Sequence, residues 1–266
     1  MAIEVNQYSL ASYYVDVMRN DIKLSNATCF FTKIDDQLYL ITNWHVVSGQ
    51  NADTLLSLSD TCAIPNKLRV YLPKAKDNAI EYSNLHYVDV AIRDEDDNAL
   101  WYEKRKDDRM IDVAVLPCNI NEDFYYLPIE DAEEPFNEGV TCAIASEIYI
   151  IGFPFSDEYG YTPIWKKASV ASEPEIDING FPYFFADTAT KQGMSGSPVV
   201  LFKDRPAIIL NQTEHKISHH FTKFIGIYSG RIGANSESRN DAQLGRVWKA
   251  QVIKEIIDES KGEIGE

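Results

Sequence analysis

The stretch Gly193-Met194-Ser195-Gly196-Ser197-Pro198 sets a serine between glycines. In so tight a turn, backbone N–H groups can converge beside the hydroxyl, which suits the oxyanion that forms when a hydroxyl attacks a carbonyl. Glycine and serine also build ordinary turns, so the stretch alone says little. A serine nucleophile needs a base. Of the five histidines, His45 directly follows the strand-like Tyr39-Leu40-Ile41-Thr42 and precedes Val46-Val47, at the end of a core strand. His86 approaches another strand, while His215, His219 and His220 fall in a polar loop between Leu210 and Phe224. The spacing of His215 and His219 would suit a metal on a helix, but no helix is evident there and only Glu214 could add a ligand. No metal or other cofactor is expected. An imidazole base in turn needs a carboxylate to hold its tautomer. Asp89 in Val88-Asp89-Val90-Ala91-Ile92 and Asp112 in Ile111-Asp112-Val113-Ala114-Val115-Leu116 both stand among apolar residues. A carboxylate so placed is costly to bury without a partner, so at least one of them should have one.

Taken together, these segments resemble the trypsin-like serine peptidases, and most closely the bacterial branch related to the HtrA proteases. The resemblance rests on Thr42-Asn43-Trp44-His45-Val46-Val47, on Asp112-Val113-Ala114-Val115-Leu116 and on Gly193 to Pro198, in the order His, Asp, Ser. Ile151-Gly152-Phe153-Pro154 and Ile225-Gly226-Ile227-Tyr228-Ser229 extend it. It implies that Ser195 is the nucleophile, His45 the general base and Asp112 the orienting acid, with the N–H groups of Gly193 and Ser195 as oxyanion hole. Asp89 is the rival acid, but its segment runs into the charged Arg93-Asp94-Glu95, so Asp112 is preferred. The resemblance also places Ala189 and Thr190 near the base of the specificity pocket, Tyr228 and Arg231 nearby, and Ser229 on the strand that pairs with substrate. Neither Ala189 nor Thr190 is charged, which argues against a preference for Lys or Arg; threonine there, with Tyr228 and Arg231 nearby, leaves room for a small apolar, polar or acidic residue, of which small or apolar is favoured. Met194 stands where zymogen-activated members carry an aspartate, so N-terminal cleavage should not be needed for activity. No PDZ module follows in this sequence, so selection is expected from the pocket, inserted loops or an activating protein partner.

These residues need elements to hold them. Short runs rich in Val, Ile, Tyr and Phe recur throughout, among them Thr28–Thr32, Gln37–Thr42, Lys67–Leu72, Ile148–Phe153 and Pro198–Phe202. Turn chemistry such as Asp35-Asp36 and Asn179-Gly180 lies between them. Many short strands at this spacing indicate a sandwich or barrel, and the resemblance implies an all-β fold of two six-stranded antiparallel Greek-key barrels of the chymotrypsin-like type, with a C-terminal helix. The first barrel is assigned to residues 1–135 with His45 and Asp112, and the second to residues 136–242 with Ser195. Apolar residues at Leu244, Val247, Trp248, Val252, Ile253, Ile256 and Ile257 predict a helix over 243–258, followed by a polar tail over 259–266. An esterase of the α/β-hydrolase type is disfavoured, since its Gly-x-Ser-x-Gly elbow is not met and the pattern is β-rich. A double barrel that binds without turnover remains the alternative.

Composition sets outer limits. The 266 residues carry a net charge of −16, which disfavours nucleic acid and anionic membrane as partners and leaves a protein or peptide substrate. The acidic run Asp94–Asp97 lacks the spaced ligands and the glycine of a calcium loop. Four scattered cysteines form no C-x-x-C pair; Cys29, Cys118 and Cys142 sit in apolar runs and read as buried free thiols. No apolar run approaches bilayer length, and Met1 to Leu10 lacks a secretory pattern, so a cytoplasmic location is expected.

Overall fold

Residues 38–41 and 113–116 are apolar without interruption; the first stretch lies in one strand and the second leads into another, and both are buried on both faces. In this computed structural model, which describes residues 5–76, 79–133, 141–154, 156–203, 207–210, 215–218, 221–231 and 243–263, one face of each lines a barrel and the other packs on a second barrel. Leu38, Leu40, Ala114 and Leu116 point into the first barrel, whereas Tyr39, Ile41, Val113 and Val115 join a core shared with the second. Continuous apolar runs, rather than alternation, are what a strand covered on both sides requires.

The first barrel comprises β1 (Tyr13–Arg19), β2 (Ile22–Ile34), β3 (Gln37–Thr42), β4 (Lys67–Lys76), β5 (Ala79–Ala91) and, after the short hairpin β6 (Arg105–Lys106) and β7 (Arg109–Met110), β8 (Ala114–Pro117). The sheet order is β5-β4-β1-β2-β3-β8. The segment after β5 spans the gap between its edges: Leu100 N–H donates to Ile92 C=O at 3.0 Å, and Tyr102 and Val115 exchange bonds of 2.8 and 3.1 Å. The second barrel, closed by hydrogen bonds, comprises β9 (Glu147–Gly152), β10 (Ile164–Val170), β11 (Tyr183–Asp187), β12 (Pro198–Lys203), β15 (Phe221–Arg231) and β16 (Leu244–Lys249), in the order β10-β11-β16-β15-β12-β9. A side hairpin, β13 (Ala207–Leu210) and β14 (His215–Ser218), interrupts it. Ranked along the chain, the six strands of each barrel follow one cyclic order, first-second-third-sixth-fifth-fourth. That is the Greek-key double barrel expected from the sequence.

Turns fix the registers. Asp35 and Asp36 both adopt left-handed φ values of 51° and 61°, the two-residue turn that matches strand twist, and Ile34 pairs with Gln37 across it. Asn179 and Gly180, at 53° and 76°, do the same between Ile178 and Phe181. Between the barrels, a 3-10 turn (Ile129–Ala132) brings Glu130 back onto β2, where its carboxylate accepts from Thr32 Oγ1 at 3.0 Å and from the Lys33 N–H. Burial pushes that carboxyl above its ordinary range.

Several expectations need correction. The helix read over 243–258 is two elements, the strand β16 and a C-terminal helix (Gln251–Glu263). Val247 and Trp248 face opposite cores, so a strand buried on both sides imitated a helical stripe. The helix then runs through much of the segment read as a tail, because Val252, Ile253, Ile256 and Ile257 form one buried stripe. β1, β10 and β14 were not anticipated, and His215 opens β14 rather than sitting in a loop. Cys29 and Cys118 are buried thiols, but Cys142 is half-buried. The boundary at 135/136, His219, His220, Glu214 and residues 264–266 lie outside the described residues.

Candidate active site

His45 lies in a one-turn helix (Trp44–Ser48) that begins as soon as β3 ends. Asp112 lies two residues before β8, in a tight turn closed by Val113 N–H donating to Ile111 C=O at 2.7 Å. Because β3 and β8 are paired, with Thr42 opposite Ala114, both residues leave the same end of the sheet. The Asp112 carboxylate accepts the His45 backbone N–H at 2.9 Å and receives Nδ1 at 3.0 and 2.8 Å from its two oxygens. Asn43 Nδ2 donates to the Asp112 carbonyl at 2.8 Å and fixes the turn. The Asp112 side chain is 6% exposed, and these donors compensate the cost of keeping a carboxylate there. A carboxylate can only accept, so in the neutral ring Nδ1 carries the proton and Nε2 is left as a base.

Asp89 has a different fate. It stands directly opposite Arg69 on the outer face of β4 and β5, bound by Arg69 Nε at 2.8 Å, Arg69 Nη2 at 3.0 Å and Lys67 Nζ at 3.0 Å. The Arg69 guanidinium, and then Lys67, hold its carboxyl below the ordinary range. Both aspartates therefore have partners, but only Asp112 meets a histidine.

Ser195 comes from the second barrel, in the turn before β12. Gly193 and Gly196 adopt φ values of +94° and +82°, which side chains disfavour. A Cβ at Gly193 would stand 2.3 Å from the Phe153 carbonyl, and one at Gly196 would stand 2.1 Å from the Thr28 carbonyl. The turn is clasped from the first barrel by Thr28 of β2. Its N–H donates to Ser195 C=O at 2.8 Å, and its Oγ1 donates to Gly193 C=O at 2.8 Å. With the carbonyls of Gly193 and Ser195 turned to Thr28, their N–H groups donate to no acceptor among the described residues. Thr28 was visible in the sequence only as the first residue of a strand; a bond such as that to Gly193, across 165 positions, leaves no local signal.

His45, Gly193 and Ser195 line one cleft of about 540 Å³, with Gln192, Asn26 and Thr61 among its walls. The Ser195 hydroxyl is hydrogen-bonded neither to His45 nor to any other described group. Among the remaining candidates, Ala189 is exposed and Thr190 buried. Thr190 Oγ1 hydrogen-bonds the Tyr228 hydroxyl, and Tyr228 is fully buried. Ser229 is half-buried and its Oγ accepts from Trp248 Nε1 at 3.2 Å. Arg231 ends β15 opposite Gly245, and its side chain lies outside the description. Met194 is buried in the second barrel's core. Among the described residues, no cluster of His, Cys, Asp or Glu could hold a metal, and no helix is long and apolar enough to cross a membrane.

A family model described as the trypsin-like peptidase domain matches residues 27–205. No curated protein matches. Among solved structures, the serine endoprotease from Yersinia pestis aligns at 14% identity and a TM-score of 0.49, over 97% of this chain and 67% of that one. The protease domain of MamO from Magnetospirillum magneticum, in its apo form, aligns at 14% identity and 0.48, over 93% of this chain and 96% of that one.

Proposed function

The chain belongs to the trypsin-like peptidase domain family, and on that premise we propose that it is a serine endopeptidase acting through an acyl-enzyme. The observation that carries this reading is the His45–Asp112 contact at 2.8 Å, opening on the cleft that also holds Ser195. His45 Nε2 takes the Ser195 proton as Oγ attacks the scissile carbonyl carbon. The carbonyl electron pair moves to oxygen, where the N–H groups of Gly193 and Ser195 receive it. The imidazolium, held by Asp112, then gives its proton to the leaving amine as the C–N bond breaks. Water, deprotonated by the same nitrogen, attacks the ester and releases the acid with Ser195 restored. Digestion of an unfolded protein, with products read by mass, tests the proposal. Internal cleavage by wild type that is absent in Ser195→Ala is expected; cleavage retained in Ser195→Ala would refute it.

A second reading is a double barrel that binds peptides without turnover, or that awaits an activating partner. One observation favours it: no hydrogen bond joins the Ser195 hydroxyl to His45. Such bonds commonly tighten only when substrate is bound, so the enzymatic reading is preferred.

A further inference from the structure

Tyr228 is fully buried and packs directly behind the turn that carries Ser195. Its backbone is tied to both residues that follow the candidate nucleophile, since Gly196 N–H donates to Tyr228 C=O at 3.0 Å and Tyr228 N–H to Ser197 C=O at 2.9 Å. On β15 it alternates with Ile227, which faces the shared core, so the Tyr228 ring turns into the second barrel beside Met194 and Val247. From there its hydroxyl reaches Thr190, five residues before Ser195, in a hydrogen bond between buried groups. Across the ring stands Gly245 of β16. A Cβ there would lie 2.4 Å from Cε2 and 3.0 Å from the hydroxyl of Tyr228. Gly245 is not needed for a left-handed backbone, so its missing side chain serves to admit the ring.

Three segments converge here: the stretch leading to Ser195, the strand leading to Ser229, and the start of β16, where Thr188 N–H donates to Gln243 C=O at 2.8 Å. On the serine-peptidase reading, a residue whose carbonyl meets Ser195 Oγ, with its backbone along Ser229, would direct its side chain toward the hollow between these segments. We propose that the Tyr228 ring, admitted by Gly245 and anchored by Thr190, fills that hollow, so that the enzyme cleaves after Gly, Ala or Ser and excludes larger residues. The closure rests on the serine-peptidase reading above and narrows it to a substrate class. Tyr228, assigned from the sequence to substrate binding, becomes a residue that excludes substrate atoms instead.

Peptidyl diphenyl phosphonates differing only in Ala or Phe beside phosphorus test it, with adducts at Ser195 followed by intact mass. A fluorophosphonate without a peptide side chain runs alongside. Wild type is expected to react with the fluorophosphonate, and with the Ala probe at least about 100-fold faster than with the Phe probe. Tyr228→Val opens the hollow and should narrow that ratio by tenfold or more, while Tyr228→Phe, which keeps the ring, should preserve it. Wild type reacting equally with both phosphonates overturns the closure and leaves the peptidase reading intact. Wild type unlabelled by the fluorophosphonate removes both. Should Tyr228→Val not fold, wild type and Tyr228→Phe decide the matter on their own.

Discussion

Two aspartates in nearly identical sequence have opposite environments, and the difference is electrostatic. Asp112 is buried and answers to the His45 N–H and ring, whereas Asp89 faces outward between Arg69 and Lys67. Asp112→Asn should lower kcat by about 10,000-fold through loss of the correct tautomer, and Asp89→Asn should leave it within about twofold. Turnover of a fluorogenic peptide by both variants checks this; the reverse ranking would exchange the assignments. Asp89 instead belongs to stability. Its folded carboxyl is lowered by Arg69 and Lys67, so its contribution is present above the ordinary carboxylate value and is lost as pH falls through the folded one. As a partly exposed pair it contributes less than about 1 kcal/mol. Urea unfolding of Asp89→Asn should show a deficit of that size at neutral pH, shrinking as pH falls below about 5. The proposed catalytic residues stand out in the sequence because serine-peptidase chemistry would restrict their types. Thr28, which clasps the Ser195 turn, and Asn43, which pins Asp112, act through bonds that no local spacing announces.

At the scale of elements, the turn between Gly193 and Gly196 tolerates no side chain at either glycine. Both glycines have left-handed φ values, and neither leaves room for a methyl group beside the carbonyls of Phe153 or Thr28. Gly193→Ala should push this residue away from Phe153 and displace a proposed oxyanion donor. The expected cost is about 100-fold or more in kcat/KM with the barrels still folded, read by turnover beside a melting curve. The strands that the sequence revealed, such as Gln37–Thr42, carry uninterrupted apolar runs bounded by turn residues. β1 was missed because Asp16, bound by the hydroxyls of Tyr14 at 2.6 Å and Tyr71 at 3.0 Å, interrupts its apolar pattern. β16 was misread because Arg246, its charge held by Asp53 at 3.1 Å, separates Leu244 from Val247 and Trp248 at a spacing that also fits a helix. In each case a buried or bridged polar side chain hid a strand from periodicity.

Across the whole molecule, the candidate site depends on two barrels meeting. His45 and Asp112 leave one barrel and Ser195 the other, so the core between them sets how the three approach. That core contains Phe30 and Ile41 from the first barrel, Val200 and Ile227 from the second, and Ile256 and Ile257 from the C-terminal helix. Ile256→Ala, at a position with no exposure, should cost about 2–5 kcal/mol and lower a single cooperative transition. Calorimetry checks this, and two separate transitions would contradict a shared core. The most direct measurement of the central claim is the intact mass of the protein after exposure to a fluorophosphonate. One adduct, mapped to Ser195, absent in Ser195→Ala and slowed at least about 100-fold in His45→Ala, is the predicted result. A wild-type chain that stays unmodified, or that is modified equally in Ser195→Ala, would contradict it.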